Sequence, residues 1–319
     1  MTYYDVFNGD ADGICALHQL RLAQPLESTL ITGVKRDIQL LQKVHAKTGD
    51  HITVLDISLD KNRQALGNLL TQDIQVTYYD HHFAGDIPLH PNLSAHINTD
   101  ADVCTSLLVN QALDSAYLPW AVTAAFGDNL FDAAKQAAQP LKLSKNQLQA
   151  LEHLGTLINY NGYGTTLDDL YFPPAELYRA ISCFEDPFDF ITQSSAYQTL
   201  AEGYQHDMEH AKNIPISEQT ETTAILVLPD EAWTRRVSGV YGNLLAREYP
   251  DRAHALITQL EDGFSRISVR APLHRKSGAD TLCMQFPTGG GRKAAAGINS
   301  LPADLLSTFT QKFQQQYQQ

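Results

Sequence analysis

Four short β-rich runs fall within the opening stretch of the chain, and segments with helical spacing separate them. "TYYDVF" (2–7), "STLITGV" (28–34), "HITVLDI" (51–57) and "IQVTYYDHH" (74–82) read as strands. "ADGICALHQLRLAQ", "DIQLLQKVHAKT" and "NRQALGNLLTQ" read as helices, the first placing Ile14, Leu17, Leu20 and Leu22 roughly along one face. Such alternation leaves few architectures open. Parallel strands need a crossover, and a crossover helix must pack back onto the sheet. The expected fold is α/β, with an N-terminal parallel sheet covered by helices on both faces.

From about residue 101 to 207 the pattern is mostly helical, broken at Pro140, "NGYG" (161–164) and "FPP" (172–174). The polar "IPISEQTET" (214–222) reads as a linker, which divides the chain into 1–213, 214–222 and 223–319. Beyond it "TAILVLP", "HALITQLE", "FSRISVRA" and "TLCMQF" read as strands, with a helix at about 236–248 and another after "GGG". A smaller second α/β domain is expected, with the active site in the cleft between the two.

At 319 residues and 43% hydrophobic content the chain suits two globular cores. It has no apolar run near the ~18 residues of a membrane span and no basic, then apolar, leader pattern, so a cytoplasmic protein with no membrane partner is expected. Cys15, Cys104, Cys183 and Cys283 are far apart and form no CxxC pair; they are expected to be small buried apolar residues. The formal net charge of −13 argues against long nucleic acid as a partner, since that affinity comes largely from neutralising many phosphates.

Part of the acidic excess has a chemical reading. Asp10 and Asp12 in "FNGDADG", Asp56 in "VLDIS", Asp80 with His81 and His82 in "YYDHH", and Asp128 in "FGDN" all stand where a strand or helix gives way to a loop. In an open parallel sheet the loops at the carboxyl ends share one edge, so these acids can converge. Several carboxylates plus imidazole suit a pair of hard divalent cations. Gly13 reads as the residue that turns the chain into the next helix, whose first N–H groups could face a phosphate; Asp12 alone also reads as an ordinary N-cap. Asp80 could hold an imidazole N–H and fix its tautomer.

"GDADG", "VLDIS", "YYDHH" and "AAFGDN" resemble the successive motifs of the DHH phosphoesterase superfamily, and "GGGRKAAAG" resembles the glycine signature of its DHHA1 domain. The likeness runs from Asn8 to Gly297, with the helical middle matched least. It implies Asp10, Asp12, Asp56, His81 and Asp128 as metal ligands, Asp56 bridging, with His82 and Asp80 as catalytic residues and His82 on the scissile phosphate. It implies Mn2+, as two ions, with Mg2+ or Co2+ as substitutes. Many relatives carry a histidine four residues before the first acid, where this chain has Val6; Asn8 is the nearby candidate to take its part. The DHHA1 likeness implies Gly289, Gly290, Gly291 and Arg292 as substrate-binding residues, Arg292 standing where the family usually has histidine. Arg266, Ser268 and Arg270 share a strand face, and Arg270 is taken as a further substrate contact. "SGVYGNLLARE" (238–248) resembles the DHHA1 segment that opens its helix near the substrate.

The implied activity is hydrolysis of short linear oligonucleotides or dinucleotides such as pGpG to mononucleotides by a metal-activated water. A pyrophosphate or polyphosphate hydrolase is the alternative enzyme, and a non-catalytic nucleotide-binding regulator the alternative of another class. A homodimer is compatible with either.

Overall fold

The computed structural model describes residues 1–260 and 262–318, which form two compact units, Met1–Glu202 and Gly203–Gln319. In the first unit the elements run β1 (Tyr3–Phe7), α1 (Ala11–Ala23), β2 (Thr29–Ile31), β3 (His51–Leu55), α2 (Leu59–Leu70), β4 (Gln75–Asp80) and β5 (Leu93–Ile97). Helices α3 (Thr105–Ala112), α4 (Leu118–Gly127), α5 (Phe131–Ala137), α6 (Lys145–Gly162), α7 (Pro174–Ile181), α8 (Pro187–Gln193) and α9 (Ser195–Lys212) follow, and α9 carries the boundary between the units.

The five strands pair in parallel in the order β2-β1-β3-β4-β5. Alternating side chains on them point to opposite faces. Val6, Ile52, Val54, Val76 and Tyr78 bury one face against Leu59, Leu66, Leu69 and Leu70 of α2. On the other face, Arg21 of α1 bonds Asp5 and Thr53. Helices thus cover both faces, as expected. The strand order reverses between β1 and β3, and the register Phe7↔Leu55↔Tyr79 sets the carboxyl ends of β1, β3 and β4 level. That edge is where an open α/β sheet binds ligands.

Two first-unit readings need correction. The segment 37–48 is not a helix: only Leu40–Lys43 turns, as a 3₁₀ helix. Leu40 and Leu41 are pulled into the core, and the Asn62 side chain takes the Leu41 N–H and donates to the Ile38 carbonyl, so the backbone is satisfied without a helix. The strand β5 went unread. Cys183 is exposed, unlike the buried Cys15, Cys104 and Cys283.

The second unit holds β6 (Ile216–Gln219), β7 (Thr223–Leu228), α10 (Ala232–Glu248), β8 (Ala253–Gln259), β9 (Phe264–Arg270), α11 (Ala279–Cys283), β10 (Gly289–Arg292), β11 (Ala295–Pro302) and α12 (Leu306–Tyr317). Its mixed sheet has the order β10-β11-β9-β8-β7-β6, with only β7 and β8 parallel. Ile257, Ile267, Val269, Leu282, Phe286, Phe309 and Phe313 form its core. Within the segment read as a linker, four exposed residues form the edge strand β6. "TLCMQF" holds a short helix, not a strand, because Ala279, Leu282, Cys283 and Phe286 are buried with helical spacing. "GGGRK" opens a β-hairpin, β10–β11, and a helix comes only later, as α12. No helix among the described residues is long and apolar enough to cross a membrane.

Candidate metal centre

The level strand ends deliver the predicted acids to one place within the first unit. Asp10 is the N-cap of α1: its Oδ1 accepts from the N–H groups of Asp12 and Gly13 at 3.0 and 3.1 Å. The cap is therefore Asp10 and not Asp12, and those amides of α1 serve the protein's own carboxylate instead of a phosphate. Gly13 is helical. Its reason is close approach, since a Cβ there would lie 2.2 Å from the Asn8 carbonyl oxygen.

Asp12 reaches across to another helix. Its two oxygens accept the N–H groups of Thr105 and Ser106, each at 2.7 Å, at the start of α3, whose own N-cap residue, Cys104, makes no side-chain cap. Thr105 also donates its hydroxyl to Asp56 Oδ1 at 3.2 Å, bracing two acids at once. Asp56 follows β3 with φ +61, a left-handed conformation uncommon outside glycine and best tolerated by Asn and Asp. Its N–H still bonds Tyr79 in β4, so the ladder holds while the side chain turns.

β4 ends at Asp80, and the two following imidazoles lie beside each other, ring centroids 4.4 Å apart. His81 Nδ1 donates to the Val103 carbonyl at 2.9 Å, which leaves the lone pair on Nε2. That Nε2 faces Asp56 Oδ1 at 3.4 Å, Asp128 Oδ2 at 3.7 Å and Asp12 Oδ2 at 3.9 Å. His82 Nδ1 lies 2.7 Å from Asp80 Oδ1, as the tautomer reading expects. Asp56, His81 and His82 each offer a ligand atom within 4.8 Å of the others.

The donor set fits a hard or borderline divalent cation. Separations of 3.4–3.9 Å are too long for hydrogen bonds, yet they suit donors that each stand about 2.1 Å from a shared ion. Asp128 Oδ2 and Asp80 Oδ2 are buried with no hydrogen-bond partner among the described residues, the signature of groups awaiting a cation. Burial, then the charges of Asp10, Asp12, Asp128 and Asp80, push the Asp56 carboxyl well above its usual range. Burial likewise raises Asp128, against the pull of Lys35.

Lys35 is the participant sequence reasoning missed. Its ammonium pairs with Asp10 Oδ2, bonds Asn159 Oδ1 at 2.9 Å and lies 3.6 Å from Asp128 Oδ1. Burial alone would raise Asp10; the Lys35 ammonium beside it outweighs that and holds its carboxyl down to about 2. Nothing in "TGVKRDI" marks this lysine, and Asn159 comes from the helical middle that no motif covers. Asn8 is buried, its amide donating to the Lys35 carbonyl at 3.2 Å, with Oδ1 lacking a hydrogen-bond partner among the described residues.

The remaining predicted residues lie in the second unit. The register Arg292↔Ala295↔Arg270 sets the two arginines on one face, two strands apart, across a small alanine. Arg270 is clamped by Asn243 Oδ1 at 2.7 Å and the Gly239 carbonyl at 3.3 Å, both in α10, so "SGVYGN" serves as its cradle. Gly289 and Gly291 are dictated by packing, whereas a Cβ on Gly290 would meet nothing within 4 Å.

The whole chain superposes on known structures. RecJ exonuclease bound to manganese matches with a TM-score of 0.65 at 16% identity, covering 100% of this chain and 90% of that one. The fold is that of the DHH phosphoesterases. A second RecJ, from Thermus thermophilus with Mn2+, gives the same score over 98% of this chain, which spans 51% of that protein. A pGpG-specific phosphodiesterase from Vibrio cholerae matches at 0.58 and 15% identity, over 98% of this chain and 99% of that one. No protein-family model and no curated protein sequence matches the chain.

Proposed function

We propose that the chain is a divalent-metal phosphodiesterase acting on short linear nucleotides, dinucleotides such as pGpG first, and releasing mononucleotides. The observation that carries this reading is His81 Nε2, its tautomer fixed by Val103, facing three carboxylates at 3.4–3.9 Å, two of them buried. Asp10, Asp12, Asp56, His81 and Asp128 are the ligands proposed for manganese. Fully ionised, the carboxylates of Asp10, Asp12, Asp56, Asp80 and Asp128 with the Lys35 ammonium sum to four negative charges, which two divalent ions balance.

Such ions supply a water of lowered pKa and neutralise charge on the non-bridging phosphate oxygens. The chain's own residues do the rest. Asp56, in its left-handed turn, presents a carboxylate toward both His81 and Thr105. Asp80 orients His82, whose side chain is a third exposed and so available to a scissile phosphate. As the bond from water oxygen to phosphorus forms and the bond to the departing nucleoside oxygen breaks, His82 would stabilise the charge on the phosphate. A small ligand suits a chain of net charge −13 better than a long strand does.

Metal-stripped protein is resupplied with Mn2+ and offered pGpG, longer RNA, cyclic dinucleotides and pyrophosphate. Manganese-dependent conversion of pGpG to mononucleotides is expected. Turnover of pyrophosphate alone would end the nucleotide reading, and tight pGpG binding without turnover under any divalent ion would make the protein a regulator.

A further inference from the structure

Immediately after His82 the chain displays an aromatic ring that nothing covers. Phe83 is 73% exposed, and the same loop leaves Ile87 and Leu89 open to solvent. The backbone beneath the ring is fixed. Ser58 Oγ donates to the Phe83 carbonyl at 2.9 Å, and Arg63 grips the carbonyls of Ala84 and Asp86. Gly85 takes φ +60, and Arg63 fills the space where a Cβ would be.

Ser58 lies two residues past Asp56, so this anchor stands at the sheet edge that bears the metal centre, and Arg63 holds the loop from α2. An isolated exposed Phe is ordinary on a protein surface. The backbone that carries this one is anchored, and its Cα is about 3.8 Å from that of the residue assigned to the scissile phosphate. The ammonium of Lys35 is committed to Asp10 and Asn159. Beyond what divalent ions contribute at the phosphate, affinity for a nucleotide can draw on its bases. An aromatic face supplies it, since every base has a π-face to stack.

We propose that Phe83 is the platform on which a nucleobase flanking the scissile phosphodiester stacks, making the ligand a nucleotide and not an inorganic polyphosphate. This rests on the phosphodiesterase reading of the centre. The full chain with Mn2+ is assayed on pGpG and on an abasic dinucleotide of the same backbone. Phe83→Ala should raise KM for pGpG roughly tenfold, with the loss falling on KM and not kcat, while leaving KM for the abasic compound unmoved. Phe83→Trp should restore the pGpG value, and its added fluorescence should be quenched by a non-hydrolysable phosphorothioate dinucleotide. Equal KM for wild type and Phe83→Ala on pGpG overturns the proposal. If wild type hydrolyses neither compound, the phosphodiesterase reading falls and the fluorescence decides alone: quenching of the Phe83→Trp signal sustains the platform, and its absence overturns it.

Discussion

Replacing Lys35 by Met keeps the length and apolar stem of the side chain and removes only the ammonium. In the folded protein that ammonium faces Asp10 with side-chain exposures of 25% and 4%, so solvent screens the pair little. Asp10 is held at about 2, against an ordinary value of 3.8, which corresponds to roughly 2–3 kcal/mol of linkage to folding. Loss of one partner from a buried pair costs about 3–5 kcal/mol by general experience, because the other charge is left uncompensated. The expected destabilisation of metal-free protein is therefore about 3 kcal/mol. Urea unfolding in EDTA measures it, with Trp233 replaced by Phe so that the fully buried Trp120 reports on the first unit alone. The sign with pH follows. Because the folded carboxyl is depressed, wild type keeps this stabilisation above about pH 4 and loses it as pH falls toward 2, whereas Lys35→Met lacks it throughout. A cycle with Asp10→Asn should show the two losses to be strongly non-additive. A cost below about 0.5 kcal/mol, typical of exposed pairs, or simple additivity with Asp10→Asn, would refute the reasoning.

Asp56→Asn should abolish manganese-dependent hydrolysis and yet raise the metal-free melting temperature, because it removes a charge that burial and four neighbouring acids disfavour. Thermal melts in EDTA beside activity assays check both halves. His18, donating Nε2–H to the Phe184 carbonyl at 2.8 Å, and His254 are each pushed by burial down to about 4; stability should decline as pH falls from about 6.5 toward 4, by up to about 3 kcal/mol for each, and His18→Gln should flatten part of that slope in pH-dependent unfolding. In the second unit, Gly290→Ala should leave stability within about 0.5 kcal/mol, whereas Gly291→Ala, at φ +140 and with its Cβ 2.4 Å from the Ala296 backbone, should cost more than about 1 kcal/mol in denaturant melts.

The strands that carry the acids were readable because each is a β-rich run ended by charge, and parallel register then brings their carboxyl ends together whatever lies between. Asp10, Asp56 and His81 met for that reason, and Asp128 joins them from the end of α4. Lys35 and Asn159 did not announce themselves, since their partnership spans 124 positions and arises from how α6 packs, not from any local pattern. The same holds for Asp12, whose capping of α3 depends on a contact 94 positions away. Where the reading of structure failed, tertiary contacts or a misjudged period were responsible. Asn62 supplied the hydrogen bonds that a helix over 37–48 would have made for itself, and "TLCMQF" was read by composition when the spacing of Leu282, Cys283 and Phe286 was helical. Leu93, Ala95 and Ile97 alternate with Ser94 and His96 as a half-buried strand requires, but the run is only five residues long and follows the proline-broken "IPLHPN".

The brace that Lys35 throws to Asn159 also sets an order of events during synthesis. A nascent chain stalled before α6 already contains all five acids but cannot close that brace, and before Thr105 emerges from the ribosome Asp12 has no helix to cap. Until both arrive, the negative charges repel one another with Lys35 alone to offset them.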